Sequence, residues 1–310
     1  MYSFNYEKIM LGVCAVSNIL GKIADYFRET DKVLLSICVF ASLFGSIMVM
    51  SATRHTGSLK QFFVQLIALV GGLVLVVLLS GFVDYETIAK HKFIIAGIAV
   101  VLVGLTFFIG YAPPGTDDKA WLWLPGGFTF QPSELLKIAF IITFSSHVNA
   151  VRDAVNKPLN LILLCVHGVL PIALIHFQGD DGSALVIGFI FISMLFAAGV
   201  KLRYFIGAAI SVAVMSPIIW FIVMNDDQRR RIEILFNPEE DLYGGGWQQW
   251  RARRAMANGG LFGKGLGNSI QKLGKIPEPY NDFIFSIVCE ELGVMGASLL
   301  LLMFIYCDKI

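Results

Sequence analysis

The stretch FFVQLIALVGGLVLVVLLSGFV, residues 62–83, contains no charged side chain. A helix needs roughly 20 predominantly apolar residues to cross the hydrocarbon core of a bilayer. Inside that core every backbone N–H and C=O group must be paired within the protein, so only helices and closed barrels span it. This stretch therefore predicts a transmembrane helix.

Seven further stretches have the same apolar character, and they lie at residues 33–50, 93–111, 134–148, 159–177, 183–198, 204–223 and 283–306. Of the 310 residues, 56% are apolar and 15% are charged, and the mean hydropathy is +0.71. A soluble domain of this length rarely has such a composition. The sequence therefore predicts an all-α, polytopic helical membrane protein with eight transmembrane helices.

The positive charges indicate an orientation. Lys and Arg residues are more frequent in the segments that face the cytoplasm when the N-terminus is inside, as is usual in membrane proteins. Residues 1–32 are then a cytoplasmic tail, in which Ile9–Leu20 is predicted to be an interfacial helix. Residues 33–310 form the transmembrane domain, with a large extracellular loop at 224–282. The net charge of +1 gives no indication of a nucleic-acid partner.

A carboxylate and an amine lie at the start of the fourth apolar stretch. Glu134 follows Pro132 in the first helical turn, and Lys137 comes three residues later, so the two side chains can pair. Charged groups within a span are costly unless they are paired or face water. Two interpretations follow: a structural ion pair that fixes helix packing, or a pair that holds a polar substrate or positions another catalytic group.

Two adjacent carboxylates, Asp180 and Asp181, occupy the short outer connection between the fifth and sixth stretches. Adjacent carboxylates repel each other unless a cation lies nearby, and hard oxygen ligands suit a divalent ion. They can also cap a tight turn, and the spacing alone favours the turn.

Acidic residues also mark the start of the last apolar stretch. Asp282 precedes it at the outer face, where it is either a helix cap or a general base partly shielded from water. Glu290 and Glu291 lie about two turns deeper and are harder to explain as caps. At least one of them is expected to face a polar interior lined by protein.

The long outer loop contains a run of glycines around one lysine. Gly259–Gly267 resembles a phosphate loop only superficially, because Asn258 takes the first glycine position and Gly265 follows Lys264. A flexible glycine cradle with one lysine is still suited to a lipid-linked pyrophosphate.

Aromatic residues in the outer loops have two interpretations. Trp247, Trp250 and Arg254 recur at i, i+3 and i+7, which places them on one face of a helix. Such a helix can lie on the bilayer, with indoles at the interface and guanidinium groups near phosphates. Trp121, in the loop before the fourth stretch, either anchors in the aromatic belt or contacts substrate.

Four motifs, taken in order, resemble the SEDS family (shape, elongation, division and sporulation), which includes RodA, FtsW and SpoVE. The motifs are Phe130–Lys137 (FQPSELLK), Gln178–Ala184 (QGDDGSA), Gly259–Gly267 (GGLFGKGLG) and Pro277–Gly293. The resemblance covers the chain from roughly residue 33 to its end. It implies a glycosyltransferase that polymerises lipid II into glycan strands at the outer face of the bacterial cytoplasmic membrane, in elongation, division or sporulation, and releases undecaprenyl pyrophosphate.

The resemblance also implies roles for individual residues. Asp282 matches the family's proposed catalytic aspartate, which would deprotonate the acceptor sugar hydroxyl. Cations are expected to offset the charge of the departing pyrophosphate, and the candidates are Lys264, Arg254 and a divalent ion (Mg or Mn) bound by Asp180 and Asp181. Of the two basic residues, only Lys264 lies in a matched motif. The residues expected to bind substrate are Glu134, Lys137, Lys264, Arg254, Glu278 and Trp121.

The implied partners are lipid II and the glycan linked to undecaprenyl pyrophosphate, a class B penicillin-binding protein that crosslinks the new strand, and other proteins of the divisome or elongasome.

Two alternative functions stay open. The intramembrane acidic and basic groups could line the path of a lipid II flippase or other transporter, although a transporter should show internal symmetry. Family members usually have ten spans and this sequence supplies eight, which predicts a fragment or a truncated gene whose product is an inactive scaffold.

Overall fold

The computed structural model describes residues 21, 26, 28–54, 59–112, 119–125, 128–241, 245–269 and 281–307. The helices are α1 (Lys32–Thr53), α2 (Lys60–Phe82), α3 (Tyr85–Lys90), α4 (Lys92–Ile109), α5 (Pro132–Ala150), α6 (Pro158–Phe177), α7 (Asp181–Ala197), α8 (Leu202–Ile218), α9 (Asp226–Phe236), α10 (Gly245–Gly259) and α11 (Ile284–Cys307). Strands β1 (Leu122–Leu124) and β2 (Phe128–Phe130) pair antiparallel. The predicted interfacial helix at Ile9–Leu20 and the predicted substrate-binding residue Glu278 lie outside the described residues.

Each of the eight predicted apolar stretches coincides with a helix. Among the described residues, six helices are long and apolar enough to cross a membrane: Lys32–Thr53, Lys60–Gly81, Lys92–Ile109, Pro158–Phe177, Leu202–Ile222 and Ile284–Cys307. The other two are α5, which contains several polar and charged residues, and α7, which has only 17 residues. Large apolar side chains on the spans are exposed, as Phe108 is at 88%, and lipid suits such a surface better than water does. The prediction of a polytopic helical membrane protein is confirmed.

The chain divides into two compact units, one formed by Val83–Ile218 and the other by Met1–Phe82 together with Ile219–Ile310. In the first unit α5 packs against α4, α6 and α7. Phe144 of α5 is fully buried and meets the Phe191 ring edge-on, with ring centroids 5.4 Å apart. Gly168 of α6 lies against the same ring, and a Cβ there would overlap it. Small residues at such contacts let membrane helices approach closely, and the resulting van der Waals packing favours their association.

In the second unit α1 packs against both α2 and α11, and its contact with α11 contains a core of Met48, Ala52, Ile287 and Val288. α10 also packs along α11. α9 begins with a capping box in which the Asn225 side chain accepts from the Gln228 N–H group, and this fixes where the helix starts.

α11 is interrupted at Gly293, whose φ of 68° and ψ of −171° are not helical. A residue with a Cβ rarely adopts this conformation, so glycine is required there. The break frees backbone N–H and C=O groups in the middle of an apolar helix. These groups need partners from elsewhere in the protein.

Candidate functional site

Asp282 lies in the turn that leads into α11. The Ile284 N–H group donates to the Asn281 carbonyl over 3.3 Å, and the Ser286 N–H group donates to the Phe283 carbonyl over 3.0 Å. Asp282 is exposed, whereas the helix residues from Ser286 onward to Glu291 are buried. The chain therefore presents one accessible carboxylate at the entrance of a buried helix segment.

The predicted polar residues two turns deeper are both fully buried. The Lys264 Nζ atom lies 2.8 Å from Glu290 Oε1, and the Ser269 hydroxyl donates to Glu290 Oε2 over 2.5 Å. Glu291 accepts from the Ser51 hydroxyl of α1 at both carboxylate oxygens, over 2.8 and 2.7 Å. Two carboxylates that face protein donors in this way join α1, α11 and the segment after α10 into one polar cluster.

The segment that follows α10 supplies the partners that the break at Gly293 requires. Above the break, the N–H groups of Lys264 and Gly265 donate to the carbonyls of Glu290 and Glu291 over 3.0 and 2.9 Å. Below it, two freed N–H groups of α11 donate back to carbonyls of the same segment: Val294 to Gly260 over 2.9 Å and Met295 to Leu261 over 3.2 Å. The broken helix is thus paired on both sides of its interruption.

Glycines allow this close approach. A Cβ on Gly259 would overlap the Cys289 carbonyl, and a Cβ on Gly263 would overlap backbone atoms of Glu291 and Leu292. Gly263 also has a φ of 75°. The glycine run expected to be a flexible phosphate cradle is therefore docked against α11, and its lysine is already paired with Glu290.

On α10, two tryptophan rings stack, and an arginine guanidinium group lies over each of them. The rings of Trp247 and Trp250 stack at 5.9 Å with an interplanar angle of 22°. The Arg251 guanidinium lies over the Trp247 ring at 4.0 Å, and that of Arg254 lies over the Trp250 ring at 5.2 Å. The helical face expected from the spacing of Trp247, Trp250 and Arg254 is present, and cation–π contacts hold its arginines.

Glu134 and Lys137 form the ion pair that their spacing allows. Lys137 Nζ lies 2.5 Å from Glu134 Oε1; the Lys137 side chain is 16% exposed and that of Glu134 is 59% exposed. The carboxylate therefore keeps an accessible side, while the amine is largely enclosed in the unit of Val83–Ile218.

Asp180 and Asp181 are engaged by protein donors. Asp180 caps α7 by accepting from the Ser183 N–H group over 2.9 Å, and its other oxygen accepts from the Gln131 amide over 2.7 Å. Asp181 lies 2.5 Å from the His176 Nδ1 atom. Within the described ranges no group of three or more His, Cys, Asp and Glu residues converges on a metal position. Asp180 therefore acts as a helix cap and Asp181 contacts His176, while the divalent ion stays a prediction.

Trp121 lies before the hairpin of β1 and β2. Its backbone bridges to Tyr111, whose N–H group donates to the Trp121 carbonyl over 2.7 Å. Its side chain is half-buried. The contact places Trp121 beside the end of α4, and its predicted part in substrate binding stays a prediction.

Sequence reasoning missed a histidine pair between α5 and α6. The Nδ1 atoms of His147 and His167 lie 3.0 Å apart, and the Nε2 atom of His167 is 3.2 Å from the Thr143 hydroxyl. His147 and Thr143 share one face of α5 at a spacing of four residues, which was the available signal. It also missed the buried contact between the Gln178 amide and the Thr106 hydroxyl.

The predicted site residues fall into both units. Asp282, Lys264, Arg254, Glu290 and Glu291 belong to the unit that contains α1 and α11, where the structure joins Lys264 to both glutamates through the polar cluster. The predicted residues in the unit of Val83–Ile218 are Glu134, Lys137, Asp180, Asp181 and Trp121.

Fold and site together define a polytopic helical membrane protein with a broken last helix and an accessible carboxylate at its entrance. The model of the FtsW, RodA and SpoVE family, described as "Cell cycle protein", matches residues 31–307. The chain belongs to this family, which is the SEDS family.

Two curated relatives and one solved structure illustrate the similarity. The probable peptidoglycan glycosyltransferase FtsW of Geobacter sulfurreducens is 36% identical over 296 residues, covering 92% of this chain and 78% of the relative. The peptidoglycan glycosyltransferase MrdB of Escherichia coli K12 is 32% identical over 279 residues, covering 89% and 73%. A chain from a peptidoglycan synthase complex, described as coordinating polymerization and crosslinking, shares the fold with a TM-score of 0.74 at 22% identity, covering 90% of this chain and 76% of that one.

Proposed function

We propose that this chain polymerises lipid II into glycan strands at the outer face of the cytoplasmic membrane, with its N-terminus inside. Its activity class follows from its relatives: the chain is a peptidoglycan glycosyltransferase, the name carried by family members 32 to 36% identical over most of its length. The observation that carries the finer proposal is Asp282, an exposed carboxylate at the entrance of an apolar helix. A base in that position suits a sugar that a lipid holds at the membrane surface.

In the proposed reaction Asp282 accepts the proton of the acceptor sugar hydroxyl. The hydroxyl oxygen forms a bond to the anomeric carbon of the donor while the bond from that carbon to the pyrophosphate breaks. Undecaprenyl pyrophosphate leaves with the bonding electrons, and the configuration at the anomeric carbon inverts. General base catalysis of this kind contributes about 10²- to 10⁴-fold in rate.

Lys264 is the cation proposed to offset charge on the leaving pyrophosphate. Its ammonium group has three N–H donors, and the contact with Glu290 uses one of them. Since the side chain is 28% exposed, the others are accessible from one side. Arg254 stays a prediction from the sequence for this role, and so does a divalent ion.

Glu134 and Lys137 are proposed to hold polar groups of the substrate. The ion pair leaves the Glu134 carboxylate 59% exposed, so a sugar hydroxyl or an amide can donate to it. A class B penicillin-binding protein is the proposed partner, because the fold of this chain is similar to that of a chain in a peptidoglycan synthase complex.

The test is glycan synthesis from purified lipid II by the full chain in proteoliposomes, in the presence and absence of the penicillin-binding protein. Asp282→Asn should lower polymer formation by about 10²-fold or more, since the amide accepts no proton. Asp153→Asn is the matched control, because Asp153 is an exposed aspartate in the other unit, on the connection between α5 and α6. Polymer formation by Asp282→Asn at the rate of the control would refute the assignment.

A further inference from the structure

A cavity of about 660 Å³ lies in the connection between α8 and α11. Its lining includes Arg253 and Arg254 of α10, Trp250 one turn earlier, and Phe236, Pro238 and Glu239 at the end of α9. The residues to which the proposed reaction assigns a step, Asp282 and Lys264, do not line this cavity, although Arg254, a predicted pyrophosphate contact, does. The combination of two guanidinium groups, a carboxylate and apolar walls indicates a ligand with charged and apolar parts.

The two arginines are held in place and keep donors for a ligand. Arg253 donates to the Leu235 carbonyl over 2.7 Å, which ties it to the end of α9. Arg254 lies over the Trp250 ring. A guanidinium group has five N–H donors in a planar fork, so the Leu235 contact leaves most of those of Arg253 available. A single guanidinium group can bind phosphate oxygens through two parallel hydrogen bonds, more tightly than neutral donors do.

Glu239 restricts the kind of phosphate-containing ligand that fits this cavity. Glu239 is one of the lining residues, and a carboxylate there would repel a ligand that is purely anionic. A ligand that carries an ammonium group beside its phosphate instead satisfies both signs of charge. The apolar wall of Phe236 and Pro238 is suited to the glycerol and first methylene groups of a lipid.

The cavity lies close to the end of a membrane span. Three residues separate α9 from the candidate span Leu202–Ile222, and the Arg229 guanidinium donates to the carbonyls of Trp220 and Met224 over 2.8 Å each. The 11 residues of α9 extend about 16 Å at the α-helical rise of 1.5 Å per residue. Phe236, which is 71% exposed, is therefore within one helix length of the bilayer surface.

We propose that this cavity binds the headgroup of a phospholipid that carries both a phosphate and a primary ammonium group, as phosphatidylethanolamine does. Arg253 and Arg254 hold the phosphate, Glu239 holds the ammonium group, and Trp250 and Phe236 contact the apolar part. The bound lipid anchors the connection between α8 and α11 to the membrane surface.

The test measures lipids retained by the detergent-solubilised full chain in native mass spectrometry, after exchange into phosphatidylethanolamine, phosphatidylglycerol or phosphatidylcholine. Arg253→Gln/Arg254→Gln should retain about tenfold less phosphatidylethanolamine than the unaltered chain, since charge-assisted hydrogen bonds are lost. Arg152→Gln/Arg203→Gln is the matched control, because both guanidinium groups are exposed in the other unit. Glu239→Gln should abolish the preference for phosphatidylethanolamine over phosphatidylglycerol, and it keeps the proposal testable if the double variant fails to fold.

Three results would overturn the proposal: equal retention by the double variant and its control, no headgroup preference in the unaltered chain, or displacement of the lipid by equimolar undecaprenyl pyrophosphate. The last result would make the cavity a substrate subsite. Because lipid retention is measured without glycan synthesis, its outcome is independent of the role proposed for Asp282.

Discussion

The ammonium nitrogen of Lys264 lies 2.8 Å from the carboxylate of Glu290, a side chain with no exposed surface. The pair joins the segment after α10 to the last helix at the level where that helix is about to break. The backbone bonds at Gly260, Leu261 and Gly265 surround it. The cation therefore stabilises both the buried acid and the docking of the glycine run.

Replacing Lys264 by Met should destabilise the protein, because Glu290 would stay buried without this cation. Removing one partner of a buried ion pair costs about 3–5 kcal/mol, and the partial exposure of Lys264 places the expected cost near the lower end. Thermal unfolding in detergent, followed by circular dichroism, measures the change. Lys264→Met/Glu290→Gln should recover part of the loss. A double variant less stable than Lys264→Met would contradict the pairing.

Gly263→Ala should disturb the docking of the glycine run far more than Gly260→Ala does. Both glycines have a positive φ, so each substitution carries a conformational cost of about 1–2 kcal/mol. At Gly263 the new Cβ overlaps backbone atoms of Glu291 and Leu292. At Gly260 the new Cβ meets nothing within 4 Å. Limited proteolysis of the connection between α10 and α11 reports the docking. Equal cleavage of the two variants would count against the packing described.

Asp180→Asn should leave α7 and its stability nearly unchanged, since asparagine caps a helix as well as aspartate does, and the Gln131 amide can turn over so that its oxygen accepts from the new amide. Asp180→Ala should destabilise the protein by about 0.5–2 kcal/mol, because the Ser183 N–H group loses its acceptor. Thermal unfolding distinguishes the two. A metal-binding role would give a different pattern, in which Asp180→Asn raises the Mg or Mn concentration needed for half-maximal polymerisation.

Exchanging the charges in Glu134→Lys/Lys137→Glu separates the two interpretations of that ion pair. If the pair only fixes packing, the exchange should restore most of the polymerisation that Lys137→Met loses. We expect no restoration, because the exposed member of the pair would become a cation and could no longer accept from the substrate. The rate of glycan synthesis and the KM for lipid II measure both effects. Full recovery by the exchanged variant would assign the pair to packing alone.

The structural features that could be predicted from the sequence are those that depend on residues close together along the chain. Helix positions follow from the apolar stretches, and the pair of Glu134 and Lys137 follows from their spacing of three residues. The break at Gly293 and its docking segment could not be predicted, because their hydrogen bonds join groups far apart in sequence. The bond between Ser51 and Glu291 spans 240 residues, and no periodicity connects them.

The bonds between Lys264 and Glu290 also close a ring of chain that contains Asp282. Lys264 and Glu290 are 26 positions apart, and the hydrogen bonds between them hold the two ends of this segment together. The entropy of closing a ring grows only slowly with its length, by about 0.6 kcal/mol per doubling. The length of the ring therefore contributes little to stability, whereas loss of the contact between Lys264 and Glu290 should release Asp282 from its position at the entrance of α11.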